Sequence, residues 1–383
     1  MRLLGHISRR SEMTIGQKVL QIQWFLVLLL CLVAATGFVM LFSAANGKMD
    51  PWASRQMVRF GVSLLVMIAI ALTDIRVWMK YAYIFYFISL GLLVAVELVG
   101  TIGMGAQRWI DLGIISLQPS ELMKISLVLA LARYFHGLGV EDVGRITFLV
   151  PPLAMVGIPS ALVLRQPDLG TAMMLIFVST AIFFLAGVRM WKFWTVGIAG
   201  LAAAPLAWNF LRDYQKQRIL TFIDPERDPL GAGYHIIQSK IALGSGGVAG
   251  KGFMLGTQAH LNFLPEKQTD FIFTMLAEEF GMIGGTGLVC LYALIIAYGL
   301  AMSTRSRAQF GRLVSMGVIT IFFLYVFINI AMVMGLIPVV GVPLPLISYG
   351  GTAMMTLMMG FGFVLGAYVH RDVVIGRRGG GED

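Results

Sequence analysis

The chain has 383 residues, 58% of them hydrophobic and 13% charged, with a mean hydropathy of +0.81. Soluble domains are about half apolar and about a quarter charged, so this composition excludes an ordinary soluble fold and indicates a polytopic membrane protein. The net charge of +9 comes from basic residues scattered in short clusters between apolar runs, which reads as topology signalling and excludes a nucleic-acid surface.

In chain order, a polar stretch from Met1 to Gln23 carries Arg2, Arg9, Arg10 and Lys18, and an apolar run from Trp24 to Phe42 follows. That run is too long for a signal-peptide core and reads as a first retained span. Uninterrupted apolar runs predict an all-α integral membrane protein of about ten transmembrane helices, at roughly 22–43, 57–74, 78–98, 119–137, 146–164, 170–188, 192–211, 271–302, 312–337 and 349–370. The whole of 1–383 reads as a single polytopic membrane domain, with 212–270 as one long extracytoplasmic loop and the tail from Gly376 as the one segment expected to be disordered. With the N-terminus inside, sixteen Lys or Arg fall on the inner side and six on short outer loops or outer span ends, so the positive-inside rule puts both termini in the cytoplasm.

Cys31 and Cys290 lie inside apolar runs, where neither a disulfide scaffold nor a metal site is indicated. His6, His136, His235, His260 and His370 show no metal-ligand spacing on one helix, so no cofactor is required by the sequence; a divalent cation is left open. Within the long loop, Gly244-Ser-Gly-Gly-Val-Ala-Gly-Lys251-Gly252 has the wrong spacing for a phosphate loop and no βαβ context for a dinucleotide site. Two readings of it stand: glycines and Lys251 that let backbone N–H groups approach an anion, or an irregular loop needing positive φ.

Ionisable groups in or at the edge of a membrane are costly, and four clusters qualify as functional candidates. The first joins Arg108-Trp-Ile-Asp111 to Gln118-Pro-Ser-Glu121-Leu-Met-Lys124, where Glu121 and Lys124 share a helix face at i, i+3. It fits a self-satisfying ion pair and a direct chemical role equally well. The second, Arg165-Gln-Pro-Asp168-Leu-Gly-Thr171, either reverses the chain or presents charge to a head group at one rim. The third is the proline-stiffened loop from Pro338 to Pro345 leading to Ser348-Tyr-Gly-Gly351, a rigid wall with Ser348 as a contact. The fourth is Glu266-Lys-Gln-Thr-Asp270 and the helix after it, on which Thr274, Ala277, Gly281 and Gly284 form a small stripe below Asp270 that lets another helix pack closely. Asp270 is either a positioned base or a cap for that helix.

Together these motifs resemble the SEDS family of bacterial cell-wall proteins, the RodA and FtsW type. The resemblance runs through Gly105-Ala-Gln-Arg-Trp109, Gln118-Pro-Ser-Glu121, Arg165-Gln-Pro-Asp-Leu-Gly-Thr171, Gly244-Ser-Gly-Gly247, Leu264-Pro-Glu266, Thr269-Asp-Phe-Ile-Phe273, Ala277-Glu-Glu279 and Ile347-Ser-Tyr-Gly-Gly351. Gly250-Lys-Gly-Phe253 and Gly256-Thr-Gln-Ala-His-Leu-Asn-Phe263 look like the elongation type, RodA; Gln268 stands where a His is usual and Asn262 where an Asp is common. The resemblance implies polymerisation of lipid II into peptidoglycan strands at the outer face of the bacterial inner membrane, with release of undecaprenyl diphosphate. It also implies a class B penicillin-binding protein and the elongation machinery as partners. By carry-over, Asp270 is the general base, Glu121 and Lys124 the ion pair beside it, and Asp168 a nearby support. Arg108, Arg165 and Lys251 are the cations for the diphosphate, and Glu266 and Ser348 further substrate contacts. The competing classes are a lipid II flippase and a non-catalytic scaffold that activates a penicillin-binding partner.

Overall fold

A computed structural model describes residues 13–376, apart from 104–105, 112, 114–115, 140, 211–212, 225–231, 262 and 265. Arg2, Arg9, Arg10, Arg212, Asn262 and the tail 377–383, all used in the sequence reading, lie outside the described residues. The chain opens on a short helix, α1 (Ile15–Gln21), started by a capping box between Thr14 and Gln17. Lys18 of α1 donates to the Leu72 carbonyl at 3.0 Å, a cation at the C-terminal end of α3 (Ala53–Leu72) where the helix dipole favours it. Between them α2 (Trp24–Ala44) is an uncharged helix of 21 residues.

After α3 come α4 (Ile75–Val99), α5 (Pro119–Gly137), α6 (Val150–Arg165), α7 (Leu169–Ala186) and α8 (Met190–Phe210). Eight helical segments among the described residues are long and apolar enough to cross a membrane. The expected span 192–211 is α8, and 119–137 is α5; neither belongs to those eight. In α5 the reason is three charged residues, Glu121, Lys124 and Arg133. It tolerates Glu121 and Lys124 because it is an inner helix, in contact with α4, α6, α7, α13 (Gln309–Val333) and α14 (Gly351–Val369), and its residues from Pro119 to Ala132 are buried apart from Leu122. Residues facing protein rather than lipid need not be apolar.

Two features were not legible as simple spans and loops. A three-stranded antiparallel sheet, β1 (Thr101–Gly103), β2 (Ala106–Asp111) and β3 (Ser116–Leu117), lies between α4 and α5 and positions Arg108. The segment 212–270 is also not a plain solvated loop: it holds α9 (Asp213–Ile223), α10 (Ala232–Ser245) and α11 (Thr257–His260). Ile236, Ser239 and Ala242 of α10 are buried at helical spacing, and Ser239 reaches Thr274 Oγ1 at 3.0 Å and the Val333 carbonyl at 2.8 Å. That helix therefore docks into the bundle through one face.

The expected continuous span 271–302 is α12 (Ile272–Ser303), but it is broken at Gly281, where φ is 65° and ψ −161°. The small stripe below Asp270 is thus not one uninterrupted helix face. Two of its members, Ala277 and Gly281, are still points of close approach, and what approaches them is the glycine-rich loop; Thr274 is met by Ser239 of α10. Lys251 N and Gly252 N donate to the Glu278 and Glu279 carbonyls at 3.0 Å, and Met282 N and Ile283 N donate to Gly247 O and Val248 O at 2.9 and 3.1 Å. These bonds satisfy the backbone groups that the break frees, as a nonpolar setting demands. A Cβ on Gly281 would stand 2.3 Å from Gly250 N, and one on Gly250 would stand 2.1 Å from the Glu279 carbonyl oxygen. Gly281→Ala is therefore expected to cost at least about 1–3 kcal/mol, the range for forcing a side chain into a glycine-only region, and to lower the melting temperature of the detergent-solubilised protein. An unchanged melting temperature would show that α12 can run straight.

Candidate active site

The sequence of α5 dictates the first part of the site. Pro119 occupies the first turn, Glu121 follows in it, and Lys124 lies one turn on. The Lys124 ammonium donates to Glu121 Oε1 at 2.7 Å, and the Tyr325 hydroxyl on α13 donates to Glu121 Oε2 at 2.5 Å. Lys124 also contacts the Tyr325 oxygen and stands 4.3 Å from its ring centroid. Glu121, Lys124 and Tyr325 are 4%, 1% and 1% exposed, so each charge depends on the others for the solvation water would give. Of the two readings left open for this pair, mutual satisfaction is present; a chemical role is compatible with it.

Asp168 stands at the head of α7, where its carboxylate accepts from Thr171 N at 3.1 Å and Thr171 Oγ1 at 3.0 Å. It lies close enough to Tyr325 to act on it electrostatically, and Arg108 Nε is 4.0 Å from its Oδ2. The same guanidinium donates to the carbonyls of Gln166 and Pro167 at 3.1 and 2.5 Å, which locks β2 onto the α6–α7 turn. Arg108 and Asp168 thus form one pair, and Glu121, Lys124 and Tyr325 a separate hydrogen-bonded cluster.

The turn that carries Asp270 is held by its carbonyls. Gln268 O accepts from Tyr349 N at 2.8 Å, Thr269 O from Ser348 Oγ at 2.6 Å, and Asp270 O from Asn329 Nδ2 at 2.9 Å. Three successive residues are fastened from outside, while Glu266 braces the turn from within by accepting from Thr269 Oγ1 at 3.0 Å. The N-cap position of α12 belongs to Phe271, one residue beyond Asp270. Gly341, with φ 70°, sits against the carboxylate: a Cβ there would be 3.5 Å from Asp270 Oδ2. Ser348, expected as a substrate contact, both holds Thr269 and accepts from Leu344 N at 2.7 Å, so its hydroxyl braces the proline-rich loop against the Asp270 turn.

Of the other two expected cations, one is engaged elsewhere and one is largely exposed. Lys251 donates to Glu278 Oε1 at 2.7 Å, and Glu278 lies two helical turns, about 12 Å, beyond Asp270. Arg165, with a side chain 73% exposed, is 3.9 Å from Glu97. The neighbouring Glu279 is 1% exposed, accepts from Ser43 Oγ at 2.5 Å, and lies 3.3 Å from His260 Nε2; the other ring nitrogen of His260 is 2.6 Å from Asn46 Oδ1. The sequence reading missed Tyr325 and Asn329, because it searched for ionisable groups. Their signal was a polar atom deep in an apolar run, which is costly unless satisfied. No cluster of three His, Cys, Asp or Glu suited to a metal occurs among the described residues.

A bundle of apolar helices around a buried ion pair, with a braced carboxylate at the head of one of them, defines a multi-pass membrane protein carrying a built polar site. A family model for FtsW, RodA and SpoVE, described as cell cycle protein, matches residues 19–372, and the chain belongs to that family. It is 44% identical over 368 residues to the peptidoglycan glycosyltransferase MrdB of Escherichia coli, covering 95% of this chain and 98% of that one. Stage V sporulation protein E of Bacillus subtilis is 34% identical over 349 residues, 89% of this chain and 95% of that one. Among solved structures, a chain from a study of how a peptidoglycan synthase complex coordinates polymerization and crosslinking is similar at a TM-score of 0.79 and 36% identity, over 91% of this chain and 98% of that one. The rod shape determining protein RodA of Thermus thermophilus is similar at 0.70 and 30%, over 91% and 97%.

Removing either partner of the buried pair leaves a stranded charge, so Glu121→Ala and Lys124→Ala should each cost about 3–5 kcal/mol in thermal unfolding. The double variant should cost less than their sum, and strict additivity would mean that the two side chains do not touch. A second expectation concerns Lys267, which is 7% exposed in the segment before α12 and whose pKa burial pushes below 10.5. The unfolded chain then binds more protons between the folded pKa and 10.5, so stability should rise with pH through that window. Melting temperatures across the window should show Lys267→Met losing that rise; identical profiles would contradict the burial effect.

Proposed function

We propose that this chain polymerises peptidoglycan glycan strands from lipid II during cell elongation, with Asp270 as the general base. Glycosyltransferase activity and an elongation role are supported by the near full-length similarity to MrdB and by the likeness to RodA. The observation that carries the residue assignment is the bracing of Gln268, Thr269 and Asp270 by three separate donors. A base must be held in place, because effective concentration depends on it.

In this reading the Asp270 carboxylate takes the proton of a sugar hydroxyl as its oxygen bonds to the anomeric carbon of the second glycan. The bond from that carbon to the diphosphate oxygen breaks, and the electron pair leaves on undecaprenyl diphosphate. A diphosphate leaves without a strong acid, so one base with nearby cations suffices, unlike the two carboxylates of most glycosidases. Arg108 and the exposed Arg165 are the proposed diphosphate cations, with Asp168 and the Glu121–Lys124 pair as supports. The contacts of Lys251 with Glu278 favour a duty in holding the glycine-rich loop over one in binding substrate. The similar chain from the synthase complex supports a crosslinking partner, for which a class B penicillin-binding protein in the inner membrane is proposed. Residues 212–269 are proposed to face outward and both termini the cytoplasm.

Purified protein in vesicles with labelled lipid II tests this reading. Asp270→Asn keeps the shape and cannot accept a proton, so the folded variant should lose about a hundredfold or more in strand synthesis. Near-normal synthesis would move the base elsewhere, with Glu266 next to be tested. Leaflet transfer without synthesis by the unaltered protein would favour a flippase, and neither activity alone would favour a scaffold. For the topology, a cysteine placed at Gln215 should react with an impermeant thiol reagent in intact cells; labelling only after the membrane is opened would reverse the orientation.

A further inference from the structure

We infer that Asn329 is a positioning residue for the Asp270 carboxylate, an inference that rests on the proposed role of Asp270 as base. Asn329 is 0% exposed, one turn from the C-terminal end of α13 and among largely apolar neighbours. Its amide nitrogen donates to Asp270 O at 2.9 Å and to Val342 O at 2.7 Å, which uses both of its N–H groups. The partners fix the amide's orientation, since the flipped group would turn its oxygen toward two carbonyl oxygens.

These two carbonyls belong to the two sides of the carboxylate. One is Asp270's own; the other belongs to the residue after Gly341, where an added Cβ would stand 3.5 Å from Asp270 Oδ2. A single side-chain nitrogen therefore sets the distance between the Asp270 turn and the wall it faces. No other side chain of this size supplies two donors from one neutral atom: Asp and Leu have the same branched outline without the two donors, and Ser has one. One turn earlier on the same face, Tyr325 fastens Glu121 and Lys124. At i, i+4 the two side chains share one helix face, so α13 holds the ion pair and the base in one register.

A positioning duty predicts lost turnover without lost binding, because displacing a base by about 1 Å costs roughly a hundredfold. Vesicles with labelled lipid II give kcat and KM for N329L, which keeps the branched outline without donors, and for N329S, which keeps one donor. The expected result is a kcat reduced about a hundredfold in N329L, a KM within about twofold of normal, and partial recovery in N329S. The acidic limb of the pH–rate profile should also be displaced in N329L, since the carboxylate leaves its wall. Normal turnover per folded molecule, even with a lower melting temperature, would mark a purely structural amide and overturn the inference. If N329L fails to fold, the same comparison is made on N329S, where unchanged kcat and pH profile overturn it. D270N, run alongside, separates the two readings. An inactive D270N with a fully active N329L defeats the positioning role alone, whereas an active D270N removes the base and the inference with it.

Discussion

The burial of Glu121 and Lys124 among apolar helices constrains everything around them. Two opposite charges without water survive only where geometry is close and remaining hydrogen-bonding capacity is filled. The i, i+3 spacing on α5 supplies the closeness, and Tyr325 supplies the extra hydrogen bond. That requirement fixes α5 as an inner helix and brings α13 against it in one register. Asn329, a turn along α13, then sits where it meets the Asp270 turn, and Asp168 enters the same neighbourhood from α7.

The second organising constraint is main-chain satisfaction. The break of α12 at Gly281 exposes backbone groups that lipid could not solvate, and the loop from Gly247 to Gly252 meets them with its own N–H and C=O groups. Of the glycines in that loop, Gly246 and Gly250 stand where two backbones approach within a distance that no Cβ permits. Lys251, which adds charge beside them, is turned to Glu278.

The apolar runs made the bundle readable, since a run of about 20 apolar residues has few other uses. The ion pair was readable too, because it is local: i, i+3 on a helix implies contact. Asp168 and Asp270 stood out as isolated charges, though not what holds them. The brace on Gln268, Thr269 and Asp270 comes from residues 59 to 81 positions away and acts through backbone carbonyls, which carry no sequence signature. The helix break escaped because glycine is common in membrane helices, so Gly281 looked like one more small packing residue. The docking of α10 was hidden by composition: its buried face is Ile236, Ser239 and Ala242, too short and mixed to read as an apolar run.

The pairings of the charged residues also run in the order in which the chain is made. Glu121 and Lys124 emerge three residues apart and neutralise one another long before Tyr325, 204 residues later, exists. At ordinary rates of synthesis that interval is about 10–40 s. Glu278 and Glu279, by contrast, appear 27 and 19 residues after Lys251 and His260, their nearest basic neighbours. The early members of two long-range hydrogen bonds, Ser43 and Gln56, are uncharged, and they precede their partners by 236 and 292 residues. Among the described residues, the buried acids Glu121, Glu278 and Glu279 therefore have a basic neighbour already made or only three residues behind them, and Ser43 and Gln56 wait as neutral side chains, whose burial costs less than that of a charge.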